Sequence, residues 1–468
     1  MQRTAVIYGL AVSTLVGAFF LVPRMANDAT TSIPVPTPIG RSPITQLSYG
    51  DGTLEVRATL DRGYLAASSI EPIWMDLSIK ASGVKSRVPL AAVLVIDRSG
   101  SMAGDKINAA RMAAERFVQR LGDGDALAII SYGTDVTVDL GLTEITGETR
   151  GRALSIVRHI EEGGGTNIDG GLLAARNLLQ AQDLGARVGR VVLISDGRPT
   201  EGDRRTAVLA GHTSGLRGAG AVTSTLGLGL DYNEDLMEQL AVEGGGRYHY
   251  LRDGSQLAQI LDNEFEHGSN VVARGVRVHL PRQLAGLRVV QSPGSRDIGN
   301  ADKLVVDVGD MAAGEERHIL VKLESQGQVG ETVFVAPELT YHKPGATVDM
   351  LVAHRADPFR VLPTTDLAQL NASRRDDVRV RVLQVEASLA LTESMQAWST
   401  GDVSLAKKRL ERARSDVREA ARATGNATLA AEAKNLDDVA QTVAAAPASE
   451  QAQDVIKSQK ARAFEMRR

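Results

Sequence analysis

The chain of 468 residues contains no cysteine. Disulfides, thiolate metal sites and cysteine nucleophiles are thereby excluded, although the compartment is not fixed. Aromatic residues make up only 4%, so the cores must rest on Val, Leu, Ile and Ala. No basic excess exists either: the formal net charge is −4, which argues against a nucleic-acid binder. Familiar catalytic signatures are also missing. The sequence has no G-x-x-x-x-G-K-[ST] loop for nucleotide phosphates and, among its 8 His, no H-E-x-x-H for zinc. Ser404-Leu405-Ala406-Lys407 fits S-x-x-K, but inside a charged helical stretch where chance accounts for it. What remains is ordinary globular material, 43% hydrophobic and 24% charged. The length suits about two to four domains.

Long apolar runs are scarce, with one exception at the N-terminus. Between Arg3 and Arg24, the stretch Thr4–Val22 carries no charge. At ~1.5 Å per residue it nearly crosses a ~30 Å hydrocarbon core. Arg24-Met25-Ala26 is a poor cleavage site, so residues 1–26 read as an uncleaved anchor in the cell membrane, with the bulk of the chain exported. The alternative is a secreted or periplasmic protein released by cleavage. Residues 27–44, rich in Pro, Thr and Ser, read as an extended tether.

Alternation then marks strands in TLEVRATL (Thr53–Leu60) and WMDLSIKA (Trp74–Ala81). From about residue 89 to 267, apolar runs of strand length (LAAVLVID, DALAIISY, RVVLISD, AVTSTLGLGL) alternate with helical patterns. Buried strands separated by helices predict an α/β layer, a doubly wound and mostly parallel sheet. VTVDLGL (Val136–Leu142) alternates instead, as an antiparallel edge strand would. Strands return over 268–363 with turn residues between them, the pattern of a β-sandwich. The strands of 45–88 are too few to bury themselves. They are expected to join that sandwich, with the α/β domain inserted between. Residues 364–468 read as helices, over Asp376–Ala397, Val403–Thr424 and Thr428–Ala444. The Lys and Arg of this tail read as a solvated face, and Trp398 as core.

Chemistry concentrates where apolar strands end. Ligands of an open parallel sheet sit at the carboxyl ends of its strands. LAAVLVID ends in Asp97, and the loop beyond it carries Ser99 and Ser101. GGGTNIDGG places Thr166 in a glycine-rich loop before a helix, and VVLISDGRPT ends a second apolar strand in Asp196. Two carboxylates and three hydroxyls, all oxygen, suit Mg2+, with Mn2+ or Ca2+ as substitutes, and disfavour zinc or copper.

The D-x-S-x-S of Asp97, Ser99 and Ser101, the Thr166 of GGTN and the Asp196 of SDG together resemble the metal-ion-dependent adhesion site of von Willebrand factor type A domains. All five positions match in sequence order. The resemblance implies a cation-dependent binding module, not an enzyme, in which a partner protein's exposed Asp or Glu completes the coordination of the metal. By position, Arg98, Met102, Asn167, Arg198, Thr200 and Glu201 are candidates for a rim that reads the partner. A domain of this type between strand segments, behind an anchor, also resembles bacterial exported proteins and the inter-alpha-trypsin inhibitor heavy chains. Those heavy chains end in D-P-H-F. Here Asp357-Pro358-Phe359 lacks the His, so the glycosaminoglycan attachment of that motif is not carried over. Two other roles fit the same layout: a scaffold or assembly factor, with or without an AAA+ chaperone, and a structural envelope protein that binds through its helical tail.

Overall fold

Leu90–Asp97 is buried at all of its 8 positions, so neither face of that strand meets water and both must be covered. The computed structural model describes residues 42–468, apart from 67–70, 85–86, 183, 285, 326–329, 347–349, 353–357, 445–449 and 468. The expected anchor 1–26, nearly all of the tether and Asp357 lie outside the described residues. Among the described residues no helix is long and apolar enough to cross a membrane.

Four strands come first: β1 (Gln46–Gly50), β2 (Leu54–Leu60), β3 (Tyr64–Ala66) and β4 (Ile73–Ala81). The α/β layer follows with β5 (Leu90–Asp97), α1 (Asp105–Arg120), β6 (Ala126–Tyr132), β7 (Val136–Glu144), α2 (Gly147–Arg158) and α3 (Ile168–Gln180). It continues with β8 (Val188–Ser195), α4 (Thr206–Gly218), β9 (Ala221–Leu228), α5 (Glu234–Gly244), β10 (Gly245–Leu251) and α6 (Leu257–Ser269). These six strands form one sheet in the order β10-β9-β8-β5-β6-β7. All pairs are parallel except β6 with β7. Separate apolar clusters on the two faces pack α1 and α6 on one side and α3, α4 and α5 on the other.

After α6 come β11 (Val271–Pro281), β12 (Gln283–Leu284), β13 (Leu287–Gln291), β14 (Lys303–Ala312), β15 (Glu316–Ser325), β16 (Thr332–Phe334), β17 (Glu338–His342), β18 (Met350–Val352) and β19 (Phe359–Thr364). One sheet runs β1-β2-β4-β15-β13-β12, a second β14-β11-β17-β18, and a small third β16-β19-β3. Strands from both sides of the α/β layer therefore share hydrogen bonds, β4 with β15 from Ile73↔Leu323 to Lys80↔Glu316. One core joins them, from Leu54 and Ile79 to Val278, Leu304 and Val321. The α/β layer is thus inserted into a β-sandwich. Two ion pairs tie it to the sandwich: Arg217 of α4 meets Asp307 of β14, and Arg296, between β13 and β14 and itself 3.0 Å from Asp307, holds Glu243 of α5 at 2.6 Å.

The tail contains α7 (Leu367–Ala372), α8 (Asp376–Ser399), α9 (Val403–Thr424), α10 (Ala427–Thr442) and α11 (Glu450–Arg467). Trp398 is buried in the core of this bundle. Helix α8 buries two faces rather than one. Val378, Val382 and Val385 pack on Leu320 of the sandwich, while Leu383, Leu391 and Met395 face the bundle. The solvated-face reading of the tail also needs correction in α11. Lys460 is 0% exposed, and its Nζ donates to Asp235 Oδ1 at 2.6 Å and to Glu234 Oε1 at 3.1 Å. Lys457 Nζ reaches Glu234 Oε2 at 2.8 Å and lies 4.0 Å from the centre of the Tyr232 ring. Buried ammonium groups survive only when paired in this way.

Candidate metal centre

The site grows from three loops at the carboxyl end of the parallel sheet. β5 delivers Asp97 at its last residue, with the side chain fully buried. The backbone N–H of Ser99 donates to Asp97 Oδ1 at 2.8 Å, and Ser195 Oγ donates to Oδ2 at 2.7 Å. Beyond β8, Asp196 is buried too. Ser101 Oγ donates to its Oδ1 at 2.7 Å, and Lys106 Nζ to its Oδ2 at 2.5 Å. The hydroxyls of Ser99 and Ser101 are 3.1 Å apart. Of the five candidate ligands only Ser101 is exposed, so the cluster opens to solvent on its side.

Thr166 enters from the second loop. A Cβ on Gly197 would lie 3.2 Å from Thr166 Oγ1 and 3.5 Å from Ser101 Oγ, which places both hydroxyls over the Gly197 backbone. Two rim candidates turn out to hold this threonine. Thr166 N donates to Thr200 Oγ1 at 2.8 Å, and the N–H groups of Thr200 and Glu201 donate to Thr166 O at 3.0 and 3.3 Å. The glycine triplet before Thr166 is explained by crossing backbones. Gly163 N donates to Arg98 O, Gly100 N to Gly164 O, and Gly165 N to Thr134 Oγ1. A Cβ on Gly133 would come within 2.5 Å of Gly163 O.

Electrostatics set the character of the cluster. Burial pushes the Asp97 carboxyl up to about 6, hydrogen bonds from Ser99 and Ser195 pull it back, and the charge of Asp196 adds to the rise. Behind them Tyr132, fully buried, donates its hydroxyl to Ile194 O at 3.1 Å. Burial first, then the charge of Asp97, holds that phenol far above its ordinary range. Two buried carboxylates and three hydroxyls, opening to solvent at one residue, match the donor set of a hard divalent cation. Their mutual repulsion gives such a cation a reason to bind.

The structure therefore brings Asp97, Ser99, Ser101, Thr166 and Asp196 together. The rim is more mixed. Arg98 is half-buried, while Arg198, Thr200 and Glu201 are exposed beside the site. Asn167 spends its Oδ1 capping α3, accepting from Gly170 N at 2.9 Å. Met102 is not a rim residue: it is 0% exposed and belongs to the core under α1. The tight turn after Ser99 rolls its side chain inward. Sequence reasoning missed Ser195, Tyr132 and Lys106. Ser195 had a usable signal, a hydroxyl directly before the strand-end aspartate; the other two depend on tertiary approach.

Comparison with known proteins agrees with the fold. The family model of the von Willebrand factor type A domain matches residues 92–263. The human inter-alpha-trypsin inhibitor heavy chain H4 is 28% identical over 248 residues, which is 52% of this chain and 27% of that protein. The chain thus spans about a quarter of that relative's length. An uncharacterized protein of Synechocystis is 26% identical over 336 residues, covering 69% of this chain and 76% of its own. Among solved structures, a von Willebrand factor type A protein from Catenulispora acidiphila superposes with a TM-score of 0.66 at 20% identity, over 81% of this chain and 88% of that one. Residues 92–263 thus match the von Willebrand factor type A domain in sequence, and the chain shares the fold of a solved protein of that type.

Proposed function

We propose that the chain is a divalent-cation-dependent protein-binding module of the cell envelope. In this reading Asp97, Ser99, Ser101, Thr166 and Asp196 hold Mg2+, with Mn2+ or Ca2+ as substitutes, and a partner protein's Asp or Glu completes the coordination. The observation that carries it is the convergence of these five oxygen-bearing side chains, with Asp97 and Asp196 buried and Ser101 open to solvent. When bound, the cation would supply a charged, oxygen-seeking position at the open side of the cluster, beside the Ser101 hydroxyl. The chain's own part is to hold the ligands in place. Ser195 orients Asp97, and Thr200 anchors the backbone of Thr166. Arg98, Arg198, Thr200 and Glu201 border the mouth and would select the partner. Attachment to the membrane rests on the charge-free stretch Thr4–Val22 and the Pro-rich tether behind it.

Calorimetric titration of the full chain with Mg2+ and with Mn2+, beside Asp97→Ala, tests the reading. The expected result is saturable binding that the variant loses, and chelator-sensitive capture of an acidic peptide. Absence of binding even with acetate present would overturn it.

A further inference from the structure

We propose that Lys106 is a built-in counter-ion of the two aspartates. It would set how tightly the site holds a cation and leave the loaded site positive toward a carboxylate. The inference rests on the reading of the site given above, and it deepens that reading by assigning a residue outside the five-ligand set.

The argument begins with Asp196. One of its oxygens accepts from Ser101 Oγ at 2.7 Å, the other from Lys106 Nζ at 2.5 Å. One ligand-set hydroxyl and one ammonium thus divide the carboxylate between them. Lys106 stands in the first turn of α1, so its Cα is fixed by a helix that buries Ile107, Ala110 and Ala114 in the core. Its stem runs past Gly229, where an ideal Cβ would lie 3.4 Å from Cε and 3.5 Å from Nζ. That is ordinary van der Waals range, so the stem packs against Gly229, whose φ of +79 is a conformation that glycine adopts without strain. The lysine side chain is 29% exposed while that of Asp196 is fully buried, so the ammonium lies between the buried acid and the solvent.

Charge then decides the consequence. Asp97 and Asp196 together carry −2 when ionised, and Lys106 brings the cluster to −1. A divalent cation would take it to +1, which attracts an anionic partner group. Without Lys106 the loaded cluster would be neutral. The same ammonium opposes the metal, because like charges a few ångströms apart repel across a partly buried site. Lys106 thus trades metal affinity for affinity toward the partner's carboxylate.

The test uses the full chain with Mn2+ as the probe, comparing wild type with Lys106→Met, which cannot ligate, and Lys106→Arg, which keeps the charge. Free Mn2+ is followed by electron paramagnetic resonance, acetate binding to the loaded protein by calorimetry, and melting in chelator by circular dichroism. Lys106→Met is expected to bind Mn2+ about ten-fold more tightly, equivalent to ~1.4 kcal/mol. It should also bind acetate more weakly once loaded and melt lower in chelator. Lys106→Arg should resemble wild type, and it carries the comparison if the Met variant does not fold: Mn2+ affinity kept by Arg supports the role, and tighter binding by Arg overturns it. Mn2+ binding by wild type that is unchanged or weaker in Lys106→Met overturns the counter-ion role alone. Absence of Mn2+ binding in wild type and Lys106→Met alike overturns the site itself, and this inference with it.

Discussion

Asp97 and Asp196 show what a residue costs and gains by position. Each is fully buried, where an unpaired carboxylate would cost several kcal/mol. Ser99, Ser195, Ser101 and Lys106 compensate them with hydrogen bonds and one cation. Thr200 plays a quieter part, since its hydroxyl accepts from Thr166 N. Thr200→Val would leave that N–H without its acceptor. It should lower Mn2+ affinity about ten-fold while costing only ~1 kcal/mol of stability in urea unfolding; unchanged affinity would mean that Thr166 is held by other contacts. The five-ligand pattern was legible in the sequence because each part carries its own local signature (Asp97 at a strand end with Ser99 and Ser101 behind it, Thr166 in a glycine-rich loop, Asp196 at a second strand end) and the set resembles a known family's motif. Met102 was misread because sequence neighbourhood does not say which way a turn rolls. Lys106 was invisible because its partner stands 90 residues away along the chain.

Among the elements, those with strong periodicity or uninterrupted apolar runs could be read directly, and those that depend on a distant surface could not. Strands β5, β6, β8 and β9 are buried at every position, and their sequences say so. Helix α4 carries a weak signal because GHTSGLRG is polar and glycine-containing, although Leu209, Ala210 and Leu216 bury against the sheet. Helix α11 lies beyond the three helices expected in the tail, and its lysines were read only as part of a solvated face. Its Phe464 instead packs edge-on to Tyr248 with ring centres 6.2 Å apart, and Lys457 and Lys460 converge on Glu234 of α5. Burial alone would raise Glu234, but Lys460 and Lys457 outweigh it and hold the carboxyl at about 2. Lys460→Met removes the fully buried ammonium from this triad. The expected loss is ~3 kcal/mol of stability, with faster hydrogen exchange confined to α11 and α5. Exchange unchanged in α11 would mean that apolar packing alone holds the tail.

Across the whole molecule, insertion of one layer into another makes the junction a shared responsibility. His267 of α6 lies there, its Nε2 3.4 Å from Glu315 Oε2. Burial first, then the charges of Arg190 and Arg247, depress it to about 3, against the opposing pull of Glu315 and Glu264. The folded chain therefore keeps this imidazole neutral, while the unfolded chain protonates it near pH ~6.5. The resulting stability is complete above pH ~6.5 and is lost progressively as pH falls toward 3. Wild type should lose ~2 kcal/mol more than His267→Leu between pH ~6.5 and ~4.5 in urea unfolding. Parallel acid slopes would remove His267 from the account. Such a junction was only partly legible. Segments 45–88 and 268–363 could be matched as halves of one sandwich from unmet burial, but no spacing rule pairs Arg217 with Asp307 or Arg296 with Glu243.

The central claim is that five side chains from three loops form one cation site. Anomalous diffraction from crystals of the full chain grown with Mn2+ tests it most directly. The account predicts one strong peak among Asp97, Ser99, Ser101, Thr166 and Asp196, with direct or water-bridged oxygen ligands. Saturating Mn2+ that leaves this position without a peak, or a peak ligated by other residues alone, would contradict it.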